Sequence, residues 1–119
     1  MIVMVNSAFN VPEALGRLMN NKNLYKKLLD KFGAGYGDYE GKVLEAFGDG
    51  NFEEAVHLSH TMKGLAGNIG ATDLQEASLA LEIIAKGGSK TPELDGALEK
   101  FSFELRRALK EVADGVDMG

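Results

Sequence analysis

The chain has 119 residues with a formal net charge of −5 and no cysteine, and is 45% apolar and 26% charged. A mass of 12.8 kDa suits one domain with one modest core, and this composition is that of a folded globular protein, neither disordered nor membrane-spanning. With a pI near 5.0 a nucleic-acid partner is not expected, because phosphates must be met by basic patches, and without cysteine disulfide scaffolds, thiolate zinc sites and thiol nucleophiles are excluded.

Residues 1–9 read as a leader and residues 10–115 as one helical domain. The leader holds the longest unbroken apolar run, MIVMV, far short of the roughly 20 residues a spanning helix needs and lacking a basic flank and cleavage site. A cytoplasmic monomer without membrane insertion is expected. In NVPE, Asn10 is placed as an N-cap with Pro12 in the first turn and Glu13 at the capping-box position, opening a short helix to about residue 20. A second helix starts near Asn23. Its apolar stripe of Leu24, Leu28, Phe32, Tyr36, Tyr39, Val43 and Phe47 runs straight across GAGYG, so it reads as one long helix weakened by Gly33, Gly35 and Gly37 at about 1 kcal/mol each.

Gly48 and Gly50 then stop the pattern, and Asn51 with Glu54 forms a capping box for a third helix over residues 52–69, which Gly70 ends. Thr72 is placed as the next N-cap with Gln75 as its box partner, and the fourth helix carries Leu74, Ala77, Leu81 and Ile84 on one face until KGGSK. A fifth opens at Thr91 and Pro92 and carries Leu94, Leu98, Phe101, Leu105, Leu109 and Val112. Four sizeable amphipathic helices with short connections predict an all-α fold, an antiparallel up-down-up-down four-helix bundle with a short extra N-terminal helix.

On the third helix Ala55, Leu58, Met62, Leu65, Ala66 and Ile69 share the sector that must face the core. His60 points the other way, sharing its face with Val56, Lys63, Gly64 and Gly67, with His57 and Glu53 at the margin. Gly64 and Gly67 each cost about 1 kcal/mol against alanine where packing gives nothing back. A bare surface beside an imidazole suits another macromolecule bringing a reactive group close to it, and Lys63 is a mobile cation within reach of whatever anion the histidine receives.

His60, Lys63, Gly64 and Gly70 spell H-x-x-K-G-x-x-x-x-x-G, followed by ATDLQEASLALE and preceded by NLYKKLLDKF. In these residues the chain resembles a histidine-containing phosphotransfer (HPt) domain from about residue 11 to residue 112, departing from the usual pattern at Leu65, where a small residue is common. The resemblance implies a phosphorelay carrier of two-component signal transduction, taking a phosphoryl group from a receiver-domain aspartate and returning it to another. It makes His60 the phosphorylated residue, attacking through Nε2 while neutral, with no buried base needed to activate it. It makes Lys63 the neutraliser of the phosphoryl oxygens and Gly64, extended by Gly67, the clearance for the receiver's loops. No intrinsic cofactor is implied; Mg²⁺ is expected from the partner receiver, and a hybrid sensor histidine kinase is a further possible partner.

Gln75 and Glu82 fall on the non-core side of the fourth helix with Leu79 and Lys86, so either could lie beside the imidazole and orient Nδ1, or both could be solvated. Leu79 and Ile83, with Val56, form a candidate apolar patch for docking a receiver. The chain has no nucleotide-binding glycine loop, so autonomous kinase activity is not expected. Other readings stay open: the phosphotransfer domain of a chemotaxis-type kinase, a metal-binding bundle using Glu54, His57 and His60, and an adaptor bundle without chemistry.

Overall fold

Asparagine and glycine punctuate this chain. The computed structural model describes residues 7–118, and among them it shows six α-helices and no strand: α1 (Val11–Arg17), α2 (Lys22–Gly35), α3 (Tyr39–Gly48), α4 (Phe52–Ile69), α5 (Thr72–Lys86) and α6 (Leu94–Asp114). The side chains of Asn10, Asn21 and Asn51 cap α1, α2 and α4 by accepting from the backbone N–H three residues on. The MIVMV run lies outside the described residues. Ala8 and Phe9, read as the end of the leader, are instead buried in the core, and the Ala8 N–H donates to Glu111 on α6 at 2.8 Å.

Helix α1 stops at Arg17, short of residue 20, because Met19 and Asn20 take left-handed φ values of 55° and 61° and the Asn20 N–H returns to the Leu15 carbonyl. The predicted long second helix is two helices. Three glycines lower the helical preference enough for the chain to turn at Tyr36, whose carbonyl accepts from the Tyr39 N–H at 3.2 Å. The apolar spacing survives because Phe32 stacks on Tyr36 and Tyr36 meets Tyr39 at a tilt across the break, with ring centroids 5.8 and 5.4 Å apart. The turn lets the Tyr39 hydroxyl donate to the Leu58 carbonyl on α4 at 2.7 Å.

Two further starts differ from expectation. Ala71, not Thr72, caps α5 and makes no side-chain cap bond, since the chain passes from α4 to α5 with no room for a separate capping turn. Thr91 does not cap α6: its carbonyl accepts from Leu94 N–H in a turn that includes Pro92, and α6 begins behind Glu93.

Helices α4 and α5 pack along their lengths, and α6 lies against α5 with α2 and α3 at its flanks. The interior is filled by Tyr25, Phe32, Phe47, Met62, Leu81 and Phe101, among others, while Leu65 is half-buried at its margin. Gly33 lies so close to α6 that a β-carbon would stand 2.7 Å from Val112. No helix among the described residues is long and apolar enough to cross a membrane.

Candidate functional site

Helix α4 ends in a Schellman closure. Gly70 takes φ 77°, the Ala71 N–H reaches the Ala66 carbonyl at 2.8 Å, and the Gly70 N–H that of Gly67 at 3.3 Å. A β-carbon at Gly70 would also stand 2.7 Å from the Asn10 carbonyl oxygen, so glycine is required there twice over. Tyr25 secures the same end by donating to the Ile69 carbonyl at 2.8 Å. This corner sends α5 back antiparallel along α4: His60 meets Glu82 and Gly67 meets Gln75, so seven residues forward on one helix are seven back on the other.

That register builds the site. Glu82 is only 2% exposed, and its carboxylate collects three donors: Lys63 Nζ at 2.6 Å, His60 Nδ1 at 2.8 Å and Lys86 Nζ at 3.4 Å. Hydrogen bonding by Lys63, opposed by burial and assisted by His60 and Lys86, lowers the Glu82 pKa from 4.5 to about 2. The carboxylate is therefore ionised at any physiological pH and can only accept, which requires the proton of a neutral His60 to sit on Nδ1. The ring's Nε2 is then an unprotonated lone pair on a side chain that is 66% exposed. Lys63, at 27% exposed, and Lys86, at 63%, share its carboxylate partner and have charge available to an incoming anion.

Of the two residues that could orient the imidazole, Glu82 makes the bond and Gln75 does not. Gln75 lies over Gly67, where a β-carbon would come 2.6 Å from its Nε2. Gly67 is accordingly buried, not part of the bare surface by His60; it is a close-packing position between α4 and α5. A single-helix projection cannot show this, because it omits the neighbour that covers the face. Gly64 is exposed, and a β-carbon there would meet nothing within 4 Å. Leu79 and Ile83 are exposed on α5, one turn apart, and Val56 is half-buried one turn before His60. Lys86 was not singled out from the sequence, although its i,i+4 spacing from Glu82 was a visible signal. Among the described residues no three His, Asp or Glu side chains come together as a metal-holding group.

An exposed imidazole oriented by a buried carboxylate and flanked by two lysines is a site for receiving an anionic group. A family model for the Hpt domain matches residues 27–115. The chain belongs to the Hpt domain family. The match takes in all of α3, α4, α5 and α6 and most of α2, hence every residue of the site, and leaves α1 outside. Membership implies histidine phosphotransfer in phosphorelays, with receiver domains as the partners of this Hpt domain. Comparisons with curated proteins and with solved structures gave no match.

Proposed function

We propose that this Hpt domain is a phosphorelay carrier in which His60 Nε2 accepts a phosphoryl group from a receiver-domain aspartyl phosphate and passes it to the aspartate of another receiver. The observation that carries this reading is the Nδ1 contact to the buried Glu82, which directs the Nε2 lone pair outward. The Nε2 lone pair attacks phosphorus, the N–P bond forms as the acyl-phosphate P–O bond breaks, and the donor aspartate leaves as a carboxylate. The phosphorylated ring keeps its Nδ1 proton and becomes cationic, a charge that Glu82 stabilises at 2.8 Å. Transfer onward is the reverse step on a second aspartate.

Lys63 and Lys86 hold Glu82 before transfer and turn toward the phosphoryl oxygens after it. Gly64 lets the receiver's loops approach within contact of the helix backbone, and Val56, Leu79 and Ile83 form the apolar edge on which the receiver docks, with Gln75 at its rim. Mg²⁺ does not fit the residues present: Glu82, the carboxylate in contact with His60, is committed to three donors. The ion is therefore assigned to the receiver. The frame is read as an antiparallel up-down-up-down bundle in which α2 and α3 together supply one of four long elements, α1 being the short extra helix.

The test mixes the protein with a phosphorylated receiver and Mg²⁺ and follows acid-labile label. Label on the wild type and on His57→Gln, and none on His60→Gln, is the expected result. Label on His60→Gln would refute the assignment. Label that arrives only from an ATP-binding kinase core, and from no receiver, would make the chain a kinase's own phosphotransfer domain instead.

A further inference from the structure

The structure has a second surface that phosphotransfer does not use. Between α3 and α6 runs a groove of about 800 Å³, lined from α6 by Asp95, Glu99, Ser102, Phe103, Arg106 and Lys110. Its centre is apolar: Leu44 on α3 and Phe103 on α6 are among the exposed large hydrophobic residues, 42% and 59% accessible, with half-buried Leu98 beneath. A phenylalanine this open on a helix surface leaves most of its apolar area in water.

The charges order the groove. Going along α6, the acids Asp95 and Glu99 come before Phe103, and the bases Arg106, Arg107 and Lys110 after it, Arg107 being held at the margin by Asp73 and Glu104. The spacing is symmetric. Asp95 and Lys110 stand equally far from the midpoint between Ser102 and Phe103, and so do Glu99 and Arg106. An identical helix laid antiparallel across that midpoint therefore sets each acid against a base, with the two phenylalanines together at the centre. A parallel helix would oppose acid to acid and base to base.

Asp95 and Glu99 have no hydrogen bond or ion pair within the described chain. Arg106 is fixed by a two-pronged bond to Glu40 at 2.7 and 2.8 Å, which holds its guanidinium over the groove with donors to spare. None of the lining residues belongs to α4 or α5, so a copy seated here leaves His60 open on both molecules.

We propose that this groove is a self-association surface, in which a second copy of this chain packs antiparallel along α6 about a twofold axis through Ser102 and Phe103. Each Phe103 enters the partner's groove against Leu44 and Leu98. Asp95 pairs with the partner's Lys110, whose ammonium has donors beyond its 2.8 Å bond to Asp114 in the same helix, and Glu99 with the partner's Arg106. The inference does not rest on the proposed chemistry of His60, and it replaces the expectation of a monomer.

Sedimentation equilibrium across a wide concentration range, up to hundreds of micromolar, tests it. The mean mass is expected to climb from 12.8 kDa toward twice that value, and Phe103→Glu to stay at the monomer mass with unchanged helical circular dichroism. Asp95→Lys and Lys110→Asp should each weaken association at least tenfold, and the two swaps combined in one chain should restore it. A monomer mass at every concentration would overturn the proposal, leaving the groove to a different partner. Association that survives Phe103→Glu would place the contact elsewhere, and a double swap no better than the single ones would refute the antiparallel register.

Discussion

Replacing Glu82 by glutamine keeps the shape of the site and removes the charge that its three donors were gathered around. Because the folded state holds Glu82 near pKa 2 in place of 4.5, the ionised carboxylate favours folding at any pH above its unfolded value. That contribution is lost as pH falls from about 4.5 toward 2. The difference of about 2.5 pH units, at about 1.4 kcal/mol each, sets the full effect at about 3–3.5 kcal/mol. Urea unfolding followed by circular dichroism, on wild type and Glu82→Gln between about pH 7 and pH 2.5, measures the gap directly. Glu40 and Glu104 also titrate low in the folded protein, but they are common to both proteins and cancel in the difference. The wild type should lead by about 3–3.5 kcal/mol near neutrality, and the lead should close through the acid range. A gap independent of pH, or no gap at pH 7, would refute the argument that an ionised Glu82 organises the site.

Gly64→Ala should raise stability by about 0.5–1 kcal/mol, since its β-carbon meets nothing, yet slow phosphoryl exchange with receivers; equal transfer rates would show that receivers do not approach there. Lys63→Ala should slow transfer to His60 about tenfold or more and the more exposed Lys86→Ala by less, as rapid-quench assays would resolve. Tyr25→Phe should cost about 1–2 kcal/mol in thermal or urea unfolding, because the Ile69 carbonyl at the end of α4 loses its hydroxyl donor.

Local chemistry was legible at the ends of α4, though not at Thr72 and Thr91, whose helices start without their side-chain caps. Asn51 and Gly70 delimit α4 at the residues read from sequence, because a side-chain cap and a left-handed stop are properties of single positions. The division between α2 and α3 was not legible from the apolar pattern: ring contacts among Phe32, Tyr36 and Tyr39 preserve the spacing that the backbone abandons. The outward face of His60 followed from helical geometry, but the fate of its neighbours did not. Gly67 and Gln75 cover one another, and the choice between Gln75 and Glu82 depends on the α4–α5 register, which is set by a corner involving Asn10, Tyr25 and Gly70. Such a corner is assembled from three distant stretches of chain and carries no local signature.

The charges around His60 bear on why a site of this kind would release what it accepts. Before transfer, Glu82 with Lys63 and Lys86 sums to one positive charge beside a neutral imidazole. The phosphoryl group adds two negative charges on its oxygens and one positive charge on the ring, so the occupied site sums to zero. A second carboxylate would repel the incoming group, and a third lysine would hold it too tightly for onward transfer. Burial makes this balance strict, because Glu82 at 2% exposed cannot be screened by solvent as the lysines can. On this argument Lys86→Glu should impair acceptance from a phosphorylated receiver more than Lys86→Ala does, while donation from phosphorylated His60 is spared or quickened. Equal effects of the two substitutions on both directions would show that net charge does not govern the exchange.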